Sequence, residues 1–240
     1  MMNALLDVDK LHALDPAEFR SAWPYPSTNP IGLITDEGFA ALVADMPDVA
    51  GFTESFGYRR RAGQKPHDRY SLEYTSGVHL PEPWQVFIDE LRGDGYRDGL
   101  RRLFDSGPLQ FRFHWHYTPN GCSISPHTDA RREYGSHLFY LNTEQDWDPA
   151  WGGETLLFDD GGRLDRNSAP DFEDFDGFRT VETLGNRSVI ISRSDHGWHG
   201  VKPINCPADR MRRIFVAVIN PKSLFWSIRD KVVGKKVEWF

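Results

Sequence analysis

Cysteine is scarce in this chain, with Cys122 and Cys206 the only two in 240 residues. Two are too few for a disulfide framework, so a reduced, cytoplasmic location is expected. Positive charge is not in excess either: 28 basic against 35 acidic residues leave a formal charge of −7. That balance excludes a protein whose main work is coating nucleic acid, which needs a basic face to displace counterions. No apolar run approaches the roughly 20 residues of a membrane helix. The opening stretch from Met1 to Phe19 is amphipathic and carries acids, unlike a signal peptide. No internal repeat of about 20–50 residues is visible, which removes solenoids and propellers. What remains, at 39% hydrophobic and 26% charged, is the composition of a globular domain.

The pattern changes character along the chain. As far as about Ser106 it reads as mostly helical. Asp15-Pro16-Ala17-Glu18 is an N-cap followed by proline at the first helical position and an acid in the first turn. Thr35-Asp36-Glu37 opens a second helix that Pro47 ends. A third follows Pro83 through Trp84, Phe87 and Leu91, and Tyr96–Phe104 makes a fourth. From Leu109 the period becomes alternating. Phe111, Phe113, Trp115 and Tyr117 interleave with Arg112, His114, His116 and Thr118, the signature of a strand with one apolar face. The aromatic stripe Phe111-Phe113-Trp115 is expected in the barrel core. Further strands are expected over Ser136–Asn142, Thr155–Phe158, Arg179–Thr183, Ser188–Ser192 and Arg212–Asn220, separated by turn signals such as Gly152-Gly153. Short strands at this spacing suggest an all-β sandwich or barrel core with the early helices on one sheet face. The chain thus reads as one α+β, mainly β domain: a helix-rich part over 1–108, a core over 109–220 and an extension over 221–240. Apolar residues of that extension, Leu224, Phe225, Trp226, Ile228, Val232 and Val233, can cap the barrel or pair with a second subunit. The acidic segment 159–178 reads either as a solvated insertion, too poor in apolar residues for a core element, or as a mobile lid selecting a cationic substrate.

His127-Thr128-Asp129 places an imidazole and a carboxylate at i and i+2, on one face of an extended chain. A third ligand completes a facial triad, and His196 and His199 compete for that place. Two imidazoles and one carboxylate with open positions opposite suit Fe(II) that must also bind a co-substrate and oxygen. A structural zinc site would fill its coordination sphere, often with thiolate.

The order and spacing of the motifs resemble those of the Fe(II)- and 2-oxoglutarate-dependent dioxygenases, particularly their prolyl-hydroxylase-like branch. Tyr117-x-Pro-Asn-Gly is followed by His127-x-Asp129, Phe139-Tyr140-Leu141-Asn142, Asp146-Trp147, Gly152-Gly153-Glu154-Thr155-Leu156 and Trp198-His199-Gly200-Val201. An arginine-bearing strand, Arg212-Arg213-Ile214-Phe215-Val216, closes the series. The resemblance spans about Leu109 to Asn220 and implies a double-stranded β-helix, a jelly-roll or cupin-like barrel. It implies His127, Asp129 and His199 as iron ligands, with His196 left to orient a neighbour. It also implies a basic residue for the far carboxylate of 2-oxoglutarate, for which a guanidinium supplies a planar fork. The family's pattern, in which one variable residue separates the anchor from the apolar run, favours Arg212 with Arg213 the runner-up. Both lie slightly farther beyond His199 than is usual. Tyr140 matches the tyrosine that shares the carboxylate, and Tyr117 one that lines the same pocket.

The implied cofactors are Fe(II), 2-oxoglutarate and O2, with ascorbate as a stimulant. The implied reaction couples decarboxylation of 2-oxoglutarate to succinate and CO2 with hydroxylation of an unactivated C–H bond. In halogenating members a small residue replaces the carboxylate ligand, so Asp129 makes hydroxylation the expected outcome. The candidate substrates are a prolyl residue in a protein and an amino-acid-like small molecule. The segments expected to grip them are Arg59–Tyr74, Arg131–Tyr134 and the acidic stretch. Two other readings are a cupin-like metalloenzyme that does not use 2-oxoglutarate, for which Arg212 and Arg213 would be dispensable, and a non-catalytic metal-binding module.

Overall fold

A computed structural model describes residues 3–60, 63–223 and 237–240. The apolar residues from 224 to 233 singled out above lie outside them. Five helices come early: α1 (Val8–Ala13), α2 (Pro16–Ser21), α3 (Asp36–Ala44), α4 (Glu82–Arg92) and α5 (Asp94–Phe104). Asp15 and Thr35 cap the second and third as their sequence predicts, accepting from the backbone N–H of Ala17 and Gly38. Three strands interrupt this helical part: β1 (Ser27–Thr28), β2 (Thr53–Ser55) and β3 (Arg69–Glu73). The remainder is β4 (Leu109–Pro119), β5 (Ile124–His127), β6 (Gly135–Tyr140), β7 (Leu156–Asp159), β8 (Gly177–Thr180), β9 (Ser188–Ser192), β10 (Trp198–Val201) and β11 (Met211–Pro221).

The strands form two antiparallel sheets. The larger has the order β1-β9-β6-β11-β4-β3-β2, the smaller β5-β10-β7-β8. This is the double-stranded β-helix layout expected from the motifs. Leu138 and Tyr140 of β6, Ile214 and Val216 of β11 and Val189 and Ile191 of β9 meet Leu157 of β7 in the space between the sheets. The helices cover the outer face of the larger sheet, where Trp84, Phe87 and Leu91 of α4 and Leu100 and Leu103 of α5 are wholly buried.

That arrangement corrects the reading of the aromatic stripe. Phe111, Phe113 and Trp115 lie under the helices, packed with Trp84, Phe87 and Phe215, and not inside the barrel. The period of two then turns Arg112, His114, His116 and Thr118 inward. The acidic segment is also corrected. Leu164, Phe172 and Phe175 pack on Leu156, Phe158 and Trp198, the outer face of the smaller sheet. Its carboxylates bond to its own backbone and to nearby side chains, Asp160 to His196 and Asp176 to Arg163. Three well-placed apolar residues are enough to bind such a stretch to a sheet.

One inward consequence of the sheet–helix packing is His137, with no exposed surface and its Nδ1 2.9 Å from the Tyr96 hydroxyl. Burial pushes its pKa down from 6.5 to about 3. The unfolded chain therefore binds a proton that the folded chain does not, and stability falls as pH drops from the unfolded value toward the folded one. The expected slope from this residue is about 1.4 kcal/mol per pH unit in that window. Thermal unfolding of His137→Phe between pH 7 and 4 should show a flatter acid-side decline than wild type, and an unchanged slope would remove His137 as the cause.

Candidate active site

β5 and β10 pair in a register that sets His127 opposite His199, their rings 4.2 Å apart. The close approach depends on Gly200, where a Cβ would lie 2.8 Å from the Ile124 carbonyl oxygen. Each imidazole is oriented by a carbonyl: His127 Nδ1 donates to Ser125 at 2.9 Å and His199 Nδ1 to Gly197 at 3.2 Å. With the proton on Nδ1, each Nε2 keeps its lone pair for a metal. Burial and the neighbouring His67 and His199 push the His127 pKa well down, so the ring is neutral as a ligand must be.

Asp129 lies two residues beyond the end of β5. Its Oδ1 stands 3.6 Å from His199 Nε2 and its Oδ2 accepts from Ser136 Oγ at 3.0 Å. Arg166 and Arg193 both donate to the Asp129 carbonyl and hold that loop. One ligand atom from each of His127, Asp129 and His199 falls within 4.8 Å of the others. Two imidazole nitrogens and one carboxylate oxygen are a donor set suited to Fe(II). His196 is elsewhere, half-exposed with Nδ1 donating to Asp160 at 2.9 Å.

The cluster opens on a cavity of about 550 Å³ between the sheets, in the size range of small-ligand sites. Arg212 lines it and is 4% exposed. Its Nη2 donates to Thr155 Oγ1 at 2.9 Å, its Nε donates to the Gly153 carbonyl, and its guanidinium lies over the Tyr140 ring. Tyr140 Oη reaches the same Thr155 hydroxyl at 2.8 Å. Gly153 has φ +93°, and a Cβ there would meet Trp147 at 3.1 Å and Arg212 Cδ at 3.2 Å. The glycine pair thus seats the arginine as well as turning the chain. Arg213, one residue on, faces away and pairs with Asp146, whose Oδ1 also accepts from the Thr143 N–H.

Tyr117 is not part of this group. It occupies the helix-facing side of β4, 4% exposed, against Phe52 and with its hydroxyl donating to Pro47 at 3.1 Å. The pocket position expected for it is corrected by strand alternation, since Thr118 and not Tyr117 shares the face of Arg212. No residue of 159–178 lines the cavity, so the acidic segment does not offer its carboxylates to a substrate there.

Several lining residues carried no motif. His67 contacts the His127 ring edge-on at 4.1 Å and accepts from Arg60 Nη1 at 2.8 Å. Arg60, Arg69, Glu73, His114, His116 and Glu133 line the same space. The signal that could have found His114 and His116 is the polar half of the β4 alternation, which faces the cavity.

Two antiparallel sheets thus carry a His-Asp-His cluster whose donor atoms could hold a metal ion. Residues 111–219, a little under half of the chain, match the model of the 2OG-Fe(II) oxygenase superfamily. The fold is similar to a Pseudomonas putida prolyl-4-hydroxylase, with TM-score 0.60, 17% identity and coverage of 89% of this chain and 100% of that one. It is also similar to a Trichoplax adhaerens prolyl hydroxylase in complex with a hypoxia inducible factor peptide fragment, with TM-score 0.61, 12% identity and coverage of 89% and 90%. A non-heme alpha ketoglutarate dependent carbocyclase from nogalamycin biosynthesis aligns with TM-score 0.60 at 11% identity over 95% and 92%. No curated protein sequence matches the chain. Among the described residues no helix is long and apolar enough to cross a membrane.

Proposed function

We propose that His127, Asp129 and His199 hold Fe(II), that Arg212 with Thr155 and Tyr140 receives the far carboxylate of 2-oxoglutarate, and that the protein hydroxylates a prolyl residue or an amino-acid-like small molecule. The observation that carries this reading is the shared cavity: the His-Asp-His cluster and the buried guanidinium line one space of about 550 Å³. The family match over 111–219 and the peptide bound to the Trichoplax relative support it.

When bound, the iron and 2-oxoglutarate supply the oxidising chemistry that a side chain cannot. The chain supplies position. His127 and His199 present lone pairs fixed by carbonyl acceptors, so neither ring has to turn when the metal enters. Ser136 holds Asp129 Oδ2, which leaves Oδ1 on the side of His199. Thr155 aligns the Arg212 fork before any carboxylate arrives, which lowers the ordering cost of binding. Leu138, Ile214, Val216 and Val218 give the cavity one apolar wall.

The test is anaerobic titration of the metal-free protein with Fe(II) and 2-oxoglutarate, following the visible charge-transfer band of a chelated 2-oxo acid. The band is expected in wild type and absent in Asp129→Ala. Fe(II) binding with no band in wild type would overturn the 2-oxoglutarate assignment and leave a metalloenzyme of another kind.

A further inference from the structure

Beyond the Arg212 site, the cavity holds more positive charge than the proposed co-substrate uses. Its lining includes the cations Arg60, Arg69, Arg112 and Arg212 and the acids Glu73, Asp129 and Glu133. Arg112 is met by Glu133 at 3.2 Å and Glu73 at 3.8 Å. Asp129 belongs to the metal cluster. Among the described residues, no carboxylate forms an ion pair with Arg60 or Arg69. The charges of Fe(II), the Asp129 carboxylate, a 2-oxoglutarate dianion and the Arg212 guanidinium sum to zero. Arg112 with its two carboxylates carries one net negative charge, so Arg60 and Arg69 leave the cavity one net positive charge, and neither has a carboxylate of its own; an unpaired charge held away from water is costly.

Their placement fits a ligand other than 2-oxoglutarate. Arg69 begins β3, beside the Tyr70–Tyr117 pair, so it enters the barrel from the strand beyond β4 as seen from Arg212. Arg60 comes from the preceding loop and is held by His67, the ring that touches His127. Arg60 thus reaches the metal cluster through His67, and Arg69 lines the same cavity. Thr118 Oγ1, on β4 between Arg69 and Arg212, is buried and has no hydrogen-bond partner. Burial and the repulsion of Arg60 and Arg212 push the Arg69 pKa down to about 10, a guanidinium still charged at neutral pH.

We infer that Arg69 and Arg60 form a second oxyanion subsite, one that receives a carboxylate or phosphate borne by the substrate itself and sets that group beside the metal cluster. The inference rests on the 2-oxoglutarate reading above and narrows it: the substrate is an acid, such as a free amino acid with its α-carboxylate, and not a neutral internal peptide segment. A guanidinium receives either oxyanion through two parallel charge-assisted hydrogen bonds, so the shared chemistry is a planar anionic face.

The probes are inorganic phosphate and acetate, added separately to protein loaded with Mn(II) and saturated with 2-oxoglutarate. Relaxation of the phosphorus nucleus or the acetate methyl protons by the bound Mn(II) reports an anion held next to the metal. Enhancement is expected in wild type, with apparent affinity about tenfold or more weaker in Arg69→Gln and in Arg60→Gln. The stronger of the two probes identifies the kind of oxyanion. Mn(II) and 2-oxoglutarate affinities, measured on the same samples, are expected to stay near wild type in both variants and show that they are folded. Three results would overturn the subsite: no enhancement in wild type despite bound 2-oxoglutarate, the same enhancement in wild type and both variants, or a loss of 2-oxoglutarate affinity in Arg69→Gln as large as in Arg212→Gln. The last would place Arg69 in the co-substrate site. Failure of wild type to bind 2-oxoglutarate at all is a different result, and it would count against the reading on which the subsite rests.

Discussion

Replacing Asp129 by alanine is expected to abolish 2-oxoglutarate turnover and weaken Fe(II) binding more than about hundredfold, beyond the range typical of residues that merely orient a ligand. His199→Ala should do the same. Both remove one of three donors that stand within 4.8 Å of one another, and no other described side chain completes the group. His196→Ala, three residues from His199, should leave turnover and metal affinity near wild type. Its imidazole bonds Asp160, and its loss costs a hydrogen bond on the outer face of the smaller sheet. Metal titration with succinate formation as the second readout decides the matter. Loss of iron-dependent activity in His196→Ala, with retention in His199→Ala, would mean the third ligand is misassigned.

The second large effect concerns the neighbouring arginines. Arg212→Gln is expected to raise the 2-oxoglutarate concentration needed for half-maximal turnover by about hundredfold, the loss of two charge-assisted hydrogen bonds to a carboxylate. Arg213→Gln should shift it by no more than about threefold and instead lower the melting temperature. Its guanidinium is half-buried against Asp146, and removing it leaves a partly buried carboxylate without its cation. Succinate formation across a range of 2-oxoglutarate concentrations separates the two. Similar modest shifts from both variants would sink the assignment of Arg212.

The same pair shows where sequence reading succeeds and where it stops. On β11 both alternating faces are apolar, Ile214, Val216 and Val218 on one and Phe215, Ala217 and Ile219 on the other. One face meets the space between the sheets and the other meets helices, and both bury hydrophobic groups. Periodicity therefore could not say which arginine points inward; the likeness to the family could. On β4 the difficulty had another origin. Its aromatic face is the more hydrophobic, and hydrophobicity alone suggests the barrel interior. In this molecule the helices supply a larger apolar surface than the opposing sheet does, and the aromatic residues go to it. Tyr117 is misplaced for a different reason: the resemblance assigns it to the pocket, and strand alternation turns it to the helix side.

The motifs of the proposed metal cluster were legible because they are local: His127-x-Asp129 spans three consecutive residues, and Trp198-His199-Gly200-Val201 marks a strand whose glycine admits its neighbour. Arg60, His67 and Arg69 were not, beyond the general expectation that Arg59–Tyr74 grips substrate. Their nearness to His127 is made by an isolated bridge between His67 and Ile124 and by the pairing of β3 with β4, contacts between segments far apart in sequence. The acidic stretch was misjudged on composition, since it is the position of Leu164, Phe172 and Phe175 and not their number that lets it cover a sheet.

β4 carries two inventories on one backbone. Its odd-numbered residues from Phe111 to Trp115 hold the helices on, and its even-numbered residues from Arg112 to Thr118 meet whatever enters the barrel. Adjacent positions are thus under unrelated constraints. Change at 112, 114 or 116 can retune what the enzyme accepts while the helix-facing packing stays as it is, and change at 111, 113 or 115 does the reverse. A strand built this way lets a lineage explore new substrates one residue at a time without first having to refold.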